Sequence, residues 1–149
     1  MSKVEEKLAS LGESLSEAKK PVANYLGCKR SGTTLYVSGR VSQVRGEVGT
    51  DLNVSEAQMA AKSALLDILA IIKEEIGDLD KIVSVEKLVG FVRSAPTFTE
   101  HPKVIDGASD LLIALFGDAG RHARTATGVA QLPYGAAVQL EMILRIAGE

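Results

Sequence analysis

Apolar residues recur along this chain in two rhythms. Between Ser55 and Ile76 the residues Ala61, Leu65, Ile68, Leu69, Ile72 and Ile76 form one stripe at 3.6-residue spacing, which predicts an amphipathic helix. Ser55 with Gln58 three residues on reads as its capping box, and Gly77 as its terminator. Near the end of the chain the rhythm shortens to two. Val138, Leu140, Met142, Leu144 and Ile146 alternate with Gln139, Glu141 and Arg145, which predicts a strand over Ala137–Ile146 with one apolar face.

The remaining elements follow from the same reasoning. Val4, Leu8, Leu11 and Leu15 predict a short N-terminal helix that Gly12 interrupts, and Pro21 discourages helix at Lys20. Asn24–Arg30 and Thr34–Ser38 read as strands joined at Ser31-Gly32. The unbroken run Leu35-Tyr36-Val37 suits a strand covered on both faces. Lys81–Val92 predicts a long strand closed by Ser94-Ala95-Pro96, and Pro102 opens a helix running to Phe116 with Gly117 behind it. Arg121–Leu132 predicts a strand of small residues ended by Pro133-Tyr134-Gly135. The order is β-β-α-β-α-β-β after an N-terminal helix. That is an α+β architecture, a mixed sheet with two helices packed on one face.

Composition adds limits. With 149 residues, 46% hydrophobic, the chain reads as a single domain able to bury its own core. Seventeen basic against 19 acidic residues leave a net charge of −2, which offers no electrostatic case for nucleic acid or a membrane surface. One cysteine, Cys28, excludes an internal disulfide. The charged N-terminal stretch has no apolar leader, and the apolar run around Ala64–Ile72 is broken by Asp67 and too short to span a bilayer. A cytoplasmic setting is the expectation.

Candidate chemistry is sparse. There is no CxxC, no HExxH and no G-x-G-x-x-G, and His101 and His122 lack ligand spacing, so no metal site is expected. His101 reads as a residue that opens a helix, His122 as a solvated or capping one, and Cys28 as a small buried hydrophobe. Arg124 stands out within His122-Ala-Arg-Thr-Ala-Thr-Gly-Val-Ala130. It is either an edge-strand arginine paired with a surface carboxylate or a guanidinium fork for a ligand carboxylate. Gln139 and Glu141 share one strand face, which faces either solvent or a cleft.

These segments also carry a resemblance. Ala123–Pro133, ARTATGVAQLP, resembles the C-terminal signature of the RidA (YjgF) family, also called the L-PSP endoribonuclease family. Leu35-Tyr36-Val37-Ser38-Gly39, Tyr25, Phe91-Val92 and Phe98 resemble further family positions in collinear order. The resemblance covers about residues 22–146 and leaves 1–20 as an N-terminal helical extension of a longer, divergent subgroup. It implies a chorismate-mutase-like fold and a homotrimer with clefts between subunits. It implies hydrolysis of enamines or imines of 2-amino acids to ammonia and a 2-oxo acid, without a cofactor. It assigns Arg124 to the substrate carboxylate and places Tyr25, Ser38, Gly39, Phe98 and Ala126 in the cleft.

The sequence departs from that pattern at two positions. The family glutamate that orients water is Gln139 here, and Glu141 on the same face is displaced by about 7 Å along the strand. The family cysteine two residues after the arginine is Ala126. Three functions follow: an imine hydrolase using Gln139 or Glu141, a trimeric binder of small carboxylates, and a ribonuclease or translation inhibitor. The charge balance disfavours the third.

Overall fold

The computed structural model describes residues 2–20 and 24–148, so the expected effect of Pro21 lies outside the described residues. Helix α1 spans Lys3–Ser10, and Ser2 caps it by accepting from the Glu5 amide. It buries Val4 and Leu8, and stops before Gly12, whose φ of 77° lies in the left-handed region. The Asp80 carboxylate ties the start of α1 to the body of the fold by accepting from the Lys3 and Val4 amides at 2.8 and 2.9 Å.

Strands β1 (Cys28–Ser31) and β2 (Thr34–Val41) form the expected hairpin, and Gly32 turns it with φ 61°. Helix α2 spans Val54–Ile76. Its capping box is Asn53 with Glu56, not Ser55 with Gln58: Asn53 Oδ1 accepts from the Glu56 amide and Glu56 Oε1 from the Asn53 amide. Gln58 reaches across to the Lys103 carbonyl instead. Strand β3 (Ile82–Arg93), helix α3 (His101–Phe116), strand β4 (Ala123–Val129) and strand β5 (Val138–Ile146) complete the order. Strand β4 is shorter than the pattern predicts, because it pairs with β3, which runs out at the Arg93–Val129 partners.

The sheet order is β1-β2-β5-β3-β4, antiparallel except for the β3–β4 pair. Helices α2 and α3 cover one face and bury Leu35, Val37, Leu88, Val92, Leu140 and Met142 beneath them. Two glycines let this layer close. A Cβ on Gly90 would lie 2.5 Å from Ile105 Cδ1, and one on Gly107 would lie 2.2 Å from the Gln58 carbonyl oxygen. No described helix covers the opposite face. Tyr36 is 47% exposed there, contrary to the expectation that its strand is covered on both sides. No described helix is long and apolar enough to cross a membrane.

Candidate functional site

One end of the sheet gathers most of the residues singled out in the sequence. The register sets Val41 opposite Gln139, Val92 opposite Val138, and Arg93 beside Val129. The loops leaving β2, β3 and β4 and the turn entering β5 therefore meet at that end. Ser38 and Gly39 form a bulge there, two residues of β2 set against Glu141 of β5. Ser38 is an anchor: its amide donates to the Gly27 carbonyl at 2.9 Å and its hydroxyl to the Leu26 carbonyl at 2.5 Å. That anchoring positions the neighbouring Tyr25. Gly39 admits the Gln139 side chain, since a Cβ on Gly39 would lie 3.0 Å from Gln139 Nε2.

Tyr25, Gly39 and Gln139 line one cavity of about 640 Å³. Arg40, Arg45, Asp67 and Tyr134 line it too, and none of these four stood out in the sequence as a site residue. Arg45 and Tyr134 are held together by backbone. Arg45 bridges Ala136, Gly46 donates to the Gly135 carbonyl, and Ala137 donates to that of Val44. Tyr134 itself has φ 61°, a left-handed conformation that costs an aromatic residue free energy and that surrounding structure must hold. Asp67 is only 7% exposed, a carboxylate on a helix whose inward face is otherwise aliphatic. The break it makes in the apolar run was the one signal of its role.

Arg124 and Ala126 lie elsewhere. Arg124 pairs with Leu88, which is opposite buried Met142, so its side chain belongs to the helix-covered face. Gln139 alternates with buried Val138 and Leu140 and belongs to the open face. Two strand spacings and three residues of register separate the two backbones, roughly 14 Å. Within one chain they cannot touch the same small ligand. Arg124 Nη1 donates to Asp106 Oδ1 at 2.7 Å and to Ser109 Oγ at 3.2 Å.

His122 completes that cluster. Its Nδ1 donates to the Gly120 carbonyl at 2.6 Å, and in the neutral ring Nε2 then accepts from Ser109 at 2.9 Å. His122 is thus a half-buried tether between α3 and β4. Ala126 packs against the core.

Glu141 faces the Ser38-Gly39 bulge from the open side but is not among the cavity's lining residues. Phe98 sits in the β3–α3 loop, edge-on to His101 at 5.2 Å and against Gly49. His101 opens α3 as expected, and its Nε2 meets Ser94 Oγ at 2.9 Å. Cys28 is buried, and desolvation pushes its thiol up to about 12, with the Glu75 charge adding to the effect. Among the described residues no group of His, Cys, Asp and Glu is arranged to hold a metal ion.

Comparison with known proteins places this geometry. A family model described as "YjgF/chorismate mutase-like, putative endoribonuclease" matches residues 5–143. The chain is 42% identical over 146 residues to protein TCP17 of Trypanosoma cruzi, covering 93% of this chain and 91% of that one. The crystal structure of Atu1372 from Agrobacterium tumefaciens, a protein of unknown function, is 44% identical with a TM-score of 0.91, over 97% of this chain and 92% of that one. RidA from an Antarctic Psychrobacter shares the fold at 22% identity and a TM-score of 0.55, over 87% and 94% of the two chains.

Proposed function

The chain belongs to the YjgF/chorismate mutase-like family, and from that premise we propose that its cavity hydrolyses the imine or enamine of a small 2-amino acid. The observation that carries this reading is the Gln139 amide seated on the Gly39 bulge, in one cavity with Tyr25 and the Asp67 carboxylate. Water adds through oxygen to the carbon of the C=N bond. Its proton passes to nitrogen, the C–N bond breaks, and ammonia leaves as the 2-oxo group forms. Gln139 positions that water through its carbonyl oxygen but cannot take its proton. Asp67 supplies the proton acceptor on the cavity wall.

In this reading the cleft is shared between subunits of a homotrimer. Arg124 reaches it from a neighbouring subunit, where it holds the substrate carboxylate by a bidentate pair. Two observations support the sharing. Arg124 and Gln139 occupy opposite faces of their own sheet, and the open face exposes Tyr36. Sedimentation then gives about three times the 15.7 kDa chain mass.

The test is release of ammonia and 2-oxo acid from freshly generated 2-aminoacrylate. Wild type accelerates it, and Arg124→Ala and Asp67→Asn each lose at least about tenfold. No acceleration over spontaneous hydrolysis overturns the reading. A second reading, a trimer that captures small carboxylates without turnover, is favoured by the amide at position 139 and by Glu141 standing outside the cavity lining. Stabilisation by 2-oxo acids without ammonia release identifies it.

A further inference from the structure

The cavity carries more positive charge than one carboxylate needs. Among the described residues, Lys19, Lys20, Arg40 and Arg45 line it against a single carboxylate, Asp67. Neither Arg40 nor Arg45 has an ion pair or a side-chain hydrogen bond among the described residues. The side chains of Arg93, Arg121, Arg124 and Arg145 all have such partners. The two unpaired guanidiniums come from different elements. Arg40 follows the bulge on β2, opposite Leu140, while Arg45 lies on the loop bridged to Ala136. Backbone pairing to Leu140 and Ala136 fixes where both side chains leave the main chain.

We infer that the cavity takes a small dicarboxylate, in the proposed reaction the 2-imino form of an acidic 2-amino acid. The imine, and the seating of its nearer carboxylate on a neighbouring Arg124, rest on the proposed function; an anion on Arg40 and Arg45 does not. Arg124 of a neighbouring subunit accounts for the carboxylate beside the imine carbon. Arg40 and Arg45 then remain for the distal one, which a planar guanidinium binds through paired N–H donors. A ligand with a single carboxylate leaves these two charges on the cavity wall without a counter-charge. Tyr25 and Tyr134 flank the cavity and present hydroxyls beside apolar rings, suited to a short carbon chain with polar ends.

Calorimetric titration of the full-length protein with stable 2-oxo acids tests this. 2-Oxoglutarate is expected to bind at least about tenfold tighter than 2-oxobutyrate, the gain of one charge-assisted pair. In Arg40→Gln and in Arg45→Gln that gap shrinks below about threefold at an unchanged melting temperature. Equal affinities in wild type, failure of both acids to bind, or a gap that persists in both variants overturns the inference. Tighter binding of phosphoenolpyruvate than of 2-oxoglutarate replaces the second carboxylate by a phosphate and also overturns it. Tight 2-oxoglutarate binding without imine turnover refutes the reaction and leaves the dicarboxylate site standing. Turnover of monocarboxylate imines with equal affinities does the reverse.

Discussion

Replacing Gly39 by alanine should damage the reaction and spare the fold. The added Cβ lies 3.0 Å from Gln139 Nε2 and 3.4 Å from its Cδ, inside the 3.5–4.0 Å of comfortable contact. The obstacle is the far end of a flexible side chain, so a shift of a few tenths of an ångström relieves it. The variant also gains about 0.4–1 kcal/mol from a less flexible unfolded chain. Net stability should change by less than about 1 kcal/mol, or roughly 3–4 °C in melting temperature.

In the proposed mechanism the Gln139 amide, which positions water, is nevertheless pushed off its seat, and misplacement on this scale costs about tenfold or more in turnover. Gly90→Ala is the internal comparison. Its Cβ would lie 2.5 Å from Ile105 Cδ1 in the closed layer beneath α3, so it should cost about 1–3 kcal/mol with the site geometry intact. Urea melts and turnover measured on the same preparations separate the two effects. Wild-type turnover in Gly39→Ala, or a stability loss matching that of Gly90→Ala, refutes the argument.

Two further outcomes rest on single groups. At pH 8 the Cys28 thiol should react with a disulfide reagent about a thousandfold more slowly in the native protein than in urea, since its pKa is near 12 rather than 9. A raised pKa stabilises the fold below the ordinary value, so this contribution should fade as pH climbs from about 9 towards 12 in a wild-type versus Cys28→Ala comparison. Asp80 is shifted the other way: the Val4 and Lys3 amides hold its carboxyl below the usual range. Its stabilisation is present above the ordinary carboxylate pKa and lost as pH falls through the lowered one. Protection of the α1 amides from hydrogen exchange should therefore drop below about pH 4, and Asp80→Asn should flatten that dependence.

The elements that could be read from the chain are those whose cause is local. The stripe of α2 and the alternation of β5 are written in consecutive residues, and burial follows both. The start of α2 was misjudged because Asn53-x-x-Glu56 and Ser55-x-x-Gln58 satisfy the same capping pattern; tertiary contact with α3 draws Gln58 away. The length of β4 depends on where β3 ends, which no property of residues 121–132 encodes.

The site divides in the same way. Tyr25, Ser38, Gly39 and Gln139 were named by the family resemblance, and the register brings three of them to one cavity with Ser38 as anchor. Arg40, Arg45, Asp67 and Tyr134 are scattered among unrelated segments and share a wall only after folding. Arg124 was legible either as an edge-strand arginine paired with a surface carboxylate, which Asp106 provides, or as a fork for a ligand carboxylate. That it lies on the face opposite Gln139 follows from sheet order alone.

Arg124 and Gln139 face opposite sides of one sheet, so the proposed cleft draws them from two subunits. Mixing Arg124→Ala and Gln139→Leu subunits by unfolding and refolding them together tests this most directly. Each variant alone should be nearly inactive in 2-oxo acid release. Random assembly at equal amounts should return about a quarter of wild-type activity, because that fraction of clefts combines an intact Arg124 from one subunit with an intact Gln139 from its neighbour. Mixtures as inactive as the separate variants would contradict the shared cleft.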